Sequence, residues 1–240
     1  MNVFSRFIVC IGLAFASSAF GQFGPEIPAW QSVKIVQNVD PVFPFQLTQQ
    51  GLTRGEARVA VNTDANGKLV EWLVIGYTRA EFAKEAVETI KKWSFVPARM
   101  RGEAVGTTVE IFFYFEAKGV VVSTTRIDEL ERATLFEAER AAYQPRSLRE
   151  LDRIPTPLTT VAPVYPAELA QKGVKGKVTV DFYIDETGVV RMPAVSPEDN
   201  RDLTVLSVDA LRQWRFEPPT RNGKPVLVKA SQVFNFGSGS

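Results

Sequence analysis

Histidine does not occur among the 240 residues, and cysteine occurs once. These absences remove Ser–His and Cys–His nucleophilic arrangements, His-containing zinc sites and thiolate clusters from consideration. No catalytic residue, no metal ligand and no cofactor site is expected. Charge of one sign is not in excess either, with 28 Lys and Arg against 27 Asp and Glu. A chain so balanced has no basic face to draw it to nucleic acid or to an anionic membrane. What is present is an apolar fraction of 45%, ordinary for a globular chain with a packed core.

The N-terminus has the pattern of a secretory signal. Arg6 supplies a positive start, Phe7–Phe15 an apolar stretch, and Ala16-Ser17-Ser18-Ala19-Phe20-Gly21 a small-residue segment ending in an A-x-G cleavage site before Gln22. The expectation is a signal peptide over 1–21, cleaved on export to the periplasm. The alternative is an uncleaved anchor in the inner membrane. The apolar stretch falls short of the roughly 20 residues a spanning helix needs, which favours cleavage. Cys10 lies in that stretch and leaves with it, so the mature domains are held by packing without a disulfide.

The remainder is a duplication. Trp93-Ser94-Phe95-Val96-Pro97 recurs as Trp214-Arg215-Phe216-Glu217-Pro218, and from 93 to 214 the offset is 121. The same offset pairs Gly55 with Gly176, Val59 with Val180, Asp64 with Asp185, Gly67 with Gly188, Ile90 with Leu211 and Phe115 with Phe236. Upstream, Pro41-Val42-Phe43-Pro44 matches Pro163-Val164-Tyr165-Pro166 at an offset of 122. A register held that long is a repeat.

Each copy has one anatomy. In the second, Val178, Val180, Phe182 and Ile184 alternate with Thr179, Asp181, Tyr183 and Asp185, the period of a half-buried strand. Asp185–Gly188 is a hairpin turn, Val189–Val195 the returning strand, and Leu203, Ser207, Leu211 and Trp214 one helical stripe. Pro218 and Pro219 end the helix, and a last strand follows from Pro225 to Phe236. The first copy repeats this as strand Glu56–Asn62, turn Asp64–Gly67, strand Lys68–Ile75, a helix over about Arg79–Trp93, and a last strand Thr107–Glu116. The fold class read from this is α+β: two ββαβ modules, over 38–116 and 155–237, each with one helix on a three-stranded antiparallel sheet. The intervening 117–154 reads as a helical linker, with a helix over Ile127–Ala142 and a capping box at Ser147-Leu148-Arg149-Glu150.

The ordered set Pro163-Val164-Tyr165-Pro166, Gly173, Gly176, Val178–Ile184, Asp185–Gly188, Trp214-Arg215-Phe216-Glu217-Pro218, Asn222-Gly223-Lys224-Pro225-Val226 and Phe236 resembles the TonB C-terminal domain family. Residues 155–237 carry the resemblance in full. Residues 38–116 carry it more loosely, with Phe43 in place of the Tyr and Arg101-Gly102-Glu103 in place of Asn-Gly-Lys. It implies a periplasmic, non-enzymatic module that docks an extended segment of an outer-membrane transporter, or of another envelope protein, by strand addition. Carried over by position, the partner-binding residues are Val226, Val228, Ala230, Gln232 and Phe234 on the last strand, with Tyr165 and Pro166 beside it, and Phe43 and Pro44 in the first copy.

This sequence departs from the family in places. Ala162 and Asp40 stand where the family often has Gln before the Pro-x-Tyr-Pro segment, and neither a motor-contacting His nor a long Pro-rich spacer occurs. The resemblance therefore implies docking rather than motor coupling by this chain alone. Gln232 interrupts the apolar alternation, so a bulge or a polar contact at a sheet edge is expected there. The competing function is a structural or self-association module, a homodimer included, with its sheet edges covered. Adjacent Phe112 and Tyr114 on the nominal outer face favour some cover.

Overall fold

A computed structural model describes residues 29–36, 38–117, 119–123, 142–196 and 199–237. The signal segment and all but the last residue of the linker helix read over Ile127–Ala142 lie outside them. The first part of the chain contains β1 (Trp30–Gln31), β2 (Lys34–Val36), α1 (Phe45–Gln49), β3 (Arg54–Thr63), β4 (Leu69–Tyr77) and α2 (Ala80–Ile90). It continues with β5 (Ser94–Val96), β6 (Ala98–Met100), β7 (Glu103–Val105), β8 (Thr107–Glu116) and β9 (Gly119–Ser123). A 3₁₀ turn at Leu148–Glu150, closed by the expected capping box, leads to β10 (Pro157–Thr159), α3 (Ala167–Gln171), β11 (Gly176–Ile184) and β12 (Val190–Val195). Then come α4 (Arg201–Arg212), β13 (Arg215–Phe216), β14 (Thr220–Arg221), β15 (Lys224–Pro225) and β16 (Val228–Phe236).

Two antiparallel sheets carry the fold, in the orders β4-β3-β8-β9 and β12-β11-β16. The α+β class and the ββαβ order of each module are those read from the sequence. Two features exceed that reading. The first sheet gains a fourth strand, because the chain turns back after Glu116 and β9 pairs with the end of β8. Short helices α1 and α3 begin directly after Pro44 and Pro166, whose extended backbones stand at their N-caps.

Period-2 alternation and the helical stripe meet in each core. Phe82, Ala83, Ala86 and Ile90 of α2 lie on Val59, Val61, Ile111, Phe113 and Phe115. In the second module Leu203 and Leu211 of α4 lie on Val178, Val180, Phe182, Ile184, Phe234 and Phe236. The Asn200 side chain caps α4 by accepting from Asp202 N at 3.0 Å and Leu203 N at 3.3 Å.

The repeated Asp and Gly build the same turn twice. Asp64 Oδ1 accepts from the amides of Asn66 (2.8 Å) and Lys68 (2.9 Å), and Asp185 Oδ1 from those of Thr187 and Val189 (both 3.0 Å). Gly67 and Gly188 have φ of 78° and 85°. A Cβ at either would fall 2.0 Å from the carbonyl oxygen of Phe95 or Phe216, so the turn tip is pressed against the residue two after the Trp. Gly188→Ala is expected to destabilise the chain by at least about 2 kcal/mol, strain and clash together. Gly173→Ala, at φ 65° with nothing within 4 Å, should cost only about 1 kcal/mol. Urea unfolding of the two variants checks the difference.

Each repeated Trp ties its module's leading segment. Trp93 Nε1–H donates to the Val39 carbonyl at 2.7 Å, and Trp214 Nε1–H to the Val161 carbonyl at 2.8 Å. From 39 to 161 the offset is 122, the one seen upstream in the sequence.

The faces of the two sheets turned away from the helices pack together. Ala60 and Ile75 from the first module meet Tyr183, Met192 and Leu227 from the second, with Leu73 and Tyr143 alongside. A register shift between Asp181 and Tyr183 places Met192 at φ 51°, a bulge that is buried in this contact. Polar groups rim it. Tyr183 Oη–H donates to Glu110 at 3.0 Å, and Arg191 meets Glu71 at 2.6 Å and donates to the Trp72 carbonyl at 3.2 Å. Burial, followed by the nearby Glu110 carboxylate, raises the pKa of the Tyr183 hydroxyl above its ordinary value.

Candidate docking edge

A sheet edge is a row of backbone donors and acceptors, so its chemistry depends on which residues point outward and what already faces them. In the first sheet β9 faces β8 from Phe112, opposite Ser123, to Glu116, opposite Gly119. The stretch Phe112–Glu116 of the last strand read over Thr107–Glu116 is thus paired by the chain itself. Phe112 and Tyr114 are buried, at 6% and 3% exposure, in agreement with the cover expected for them.

In the second sheet β16 is the margin. Its pairing with β11 runs without a register shift from Val228 opposite Ile184 to Phe236 opposite Gly176, so Gln232 makes no bulge. At one end Arg146 lies parallel to Val228, donating its amide to the Leu227 carbonyl at 2.8 Å and accepting from the Lys229 amide at 3.2 Å. That contact fixes the parity of the strand. The N–H and C=O of one strand residue point to the same side, and successive residues alternate. Leu227 and Lys229 point outward, and so do Ser231, Val233 and Asn235. Among the described residues no strand lies beside these last three. The Gln232 side chain donates to the Val233 carbonyl at 2.8 Å, a polar contact at the sheet edge of the kind expected from the sequence.

The residues named from the sequence fall in several places. Val228 and Phe234 are buried on the helix side, with Ala230 and Gln232 half-buried on the same side. Val226 precedes the strand, its amide donating to the Pro219 carbonyl at 2.9 Å, so β16 starts three residues later than the Pro225–Phe236 range read from the pattern. The Tyr165 ring lies 5.7 Å from that of Phe236, and its hydroxyl donates to the Val174 carbonyl, which places it at the far end of the edge. Pro166 caps α3 beside it. In the first module Phe43 packs edge-on against Phe82 at 5.3 Å, and Pro44 caps α1. The backbone groups facing the open margin belong instead to Ser231, Val233 and Asn235, the alternates that sequence reasoning passed over. The pattern separates the two alternating sets, but only the register with β11 and Arg146 shows which set turns its backbone outward.

Two compact α+β modules in tandem, with the β8 margin of one sheet paired to β9 and the β16 margin of the other without a neighbouring strand over Ser231–Asn235 among the described residues, define the class of protein. No group of three or more His, Cys, Asp or Glu able to hold a metal occurs among the described residues. Nor, among them, is any helix long and apolar enough to cross a membrane. The chain belongs to the family described as Gram-negative bacterial TonB protein C-terminal, whose model matches residues 39–117 and again 161–237. It is similar to the protein TonB of two strains of Xanthomonas campestris pv. campestris, 33% identical over 75 residues, covering 31% of this chain and 34% of each relative. The match thus spans about a third of the length of those curated relatives. A solution NMR structure of the Pseudomonas aeruginosa TonB CTD aligns with 31% identity and a TM-score of 0.33, covering 40% of this chain and 95% of that one.

Proposed function

We infer that this chain is a periplasmic, non-enzymatic docking protein of the cell envelope, exported by a cleaved signal. Its second module takes up an extended segment of an outer-membrane transporter or another envelope protein as an added strand along β16. The observation that carries this reading is the row of outward backbone groups at Ser231, Val233 and Asn235, beside which no strand lies among the described residues and of which only the Val233 carbonyl is engaged, by the Gln232 side chain. Family membership and similarity to proteins named TonB support it. Main-chain hydrogen bonds would supply affinity, and the exposed alternates Lys229, Ser231, Val233 and Asn235 would meet the partner's side chains.

For the first module the architectural reading is favoured, because β9 already lies on the equivalent stretch of its edge. Its outer face supports the second module instead.

Proline scanning tests docking with an internal control. Val233→Pro removes an outward N–H and leaves the ladder to β11 intact, since Val233 does not donate to it. Affinity for extended transporter-derived peptides, read by isothermal titration, is expected to fall tenfold or more, while unfolding by urea changes little. Unaltered affinity in Val233→Pro and Ser231→Pro would overturn strand addition.

A further inference from the structure

The segment from Tyr143 to Asp152 joins the two modules and also touches the docking edge. At Tyr143 its backbone exchanges two hydrogen bonds with Tyr77 of β4, at 3.1 and 3.2 Å. The two rings stack 5.1 Å apart at 9°. Tyr143 Oη–H donates to Glu186 in the β11–β12 turn at 2.5 Å. Three residues on, Arg146 occupies Leu227 and Lys229, the first outward groups of the β16 margin. The segment is then anchored by Asp152, whose carboxylate accepts from the amides of Asn222 (2.7 Å) and Gly223 (2.9 Å).

The geometry points to this strap as a competitor for the edge. A short added strand fits along Ser231–Asn235, whereas a longer one must displace Arg146 and so loosen a segment that also ties the modules together. This rests on the docking reading above, and it makes the length of the docked segment the variable that couples docking to the contact between modules.

The first module supplies a probe. There Ser123 pairs with Phe112 and Gly119 with Glu116, in antiparallel order. Shifted by the repeat offset of 121, a peptide of residues 119–123 would lie opposite Val233 to Gly237 and stop short of the strap. Continued to residue 128, the same peptide in the same register runs past Lys229 and meets Arg146.

The experiment is hydrogen exchange on the full chain, saturated in turn with each peptide. The Arg146 amide, protected at rest by the Leu227 carbonyl, is expected to exchange at least fivefold faster with the peptide of residues 119–128 and to stay unchanged with that of residues 119–123. Arg146 protection unaltered at saturation by the longer peptide overturns the strap inference while leaving docking intact. Failure of both peptides, together with transporter-derived ones, to protect the Ser231 and Val233 amides overturns docking itself, and the inference with it. A second measurement locks the strap. Tyr77→Cys with Tyr143→Cys, in a Cys10→Ser background, joins a directly opposed antiparallel pair at a separation disulfides accept. The oxidised form is expected to bind the longer peptide at least fivefold more weakly than the reduced form, and equal affinities would overturn the inference.

Discussion

Trp93→Ala is expected to lower stability by about 3–5 kcal/mol, the range for deleting a large aromatic side chain from a packed core. Trp93 is 6% exposed, and its ring stacks on Phe113 at 5.6 Å. Its Nε1–H also holds the Val39 carbonyl at 2.7 Å, so the substitution opens a cavity and releases the segment leading into α1. Trp93→Phe keeps most of the apolar surface and loses the hydrogen bond, a change of about 1–2 kcal/mol. Trp214, only half-buried but packed on Phe216 and Phe234 and bonded to Val161, should show the same ordering with smaller losses. Guanidinium unfolding of the four variants, followed by circular dichroism, measures this. A Trp93→Ala loss below about 1 kcal/mol would contradict a core-filling role.

The second large effect belongs to the contact between modules. Leu227 is fully buried, at 0% exposure, among Ala60, Ile75, Tyr183 and Met192. Leu227→Ala should cost about 2–5 kcal/mol. The shape of the transition is more informative than the size. Each module has its own core, so the coupling between them resides largely in this cluster and its polar rim. With the cluster intact, the chain is expected to unfold in one transition by calorimetry. With Leu227→Ala, the second module should melt first and the profile should split. A change confined to the midpoint, with a single sharp transition retained, would place the coupling in the polar contacts of Arg191 and Tyr183 instead.

Much of this architecture is legible in the residues themselves. The offsets of 121 and 122 reappear as duplicated geometry: two Asp turns, two glycines under a carbonyl, two Trp tethers. These are local devices, each complete within a few residues or one supersecondary unit, so pattern and turn chemistry suffice to find them. Tyr183 marks the limit. Period-2 alternation assigns it to the face away from the helix, which is correct. Its burial follows from the approach of the other module, which no local period encodes.

The candidate site divides the same way. Alternation by itself determined that β16 is a strand with Phe234 and Phe236 toward the helix, and composition by itself left little for side-chain chemistry to do. Tertiary structure alone decided which margin is open among the described residues. β9 closes the first sheet, Arg146 caps one end of the second, and the antiparallel register turns the backbones of Ser231, Val233 and Asn235 outward. The physical reason is that side-chain burial is written residue by residue in hydrophobic periodicity, whereas edge vacancy depends on which distant segment comes to lie beside a strand. Backbone hydrogen-bonding groups are common to every residue type except proline, which lacks the N–H, and leave almost no mark on the sequence.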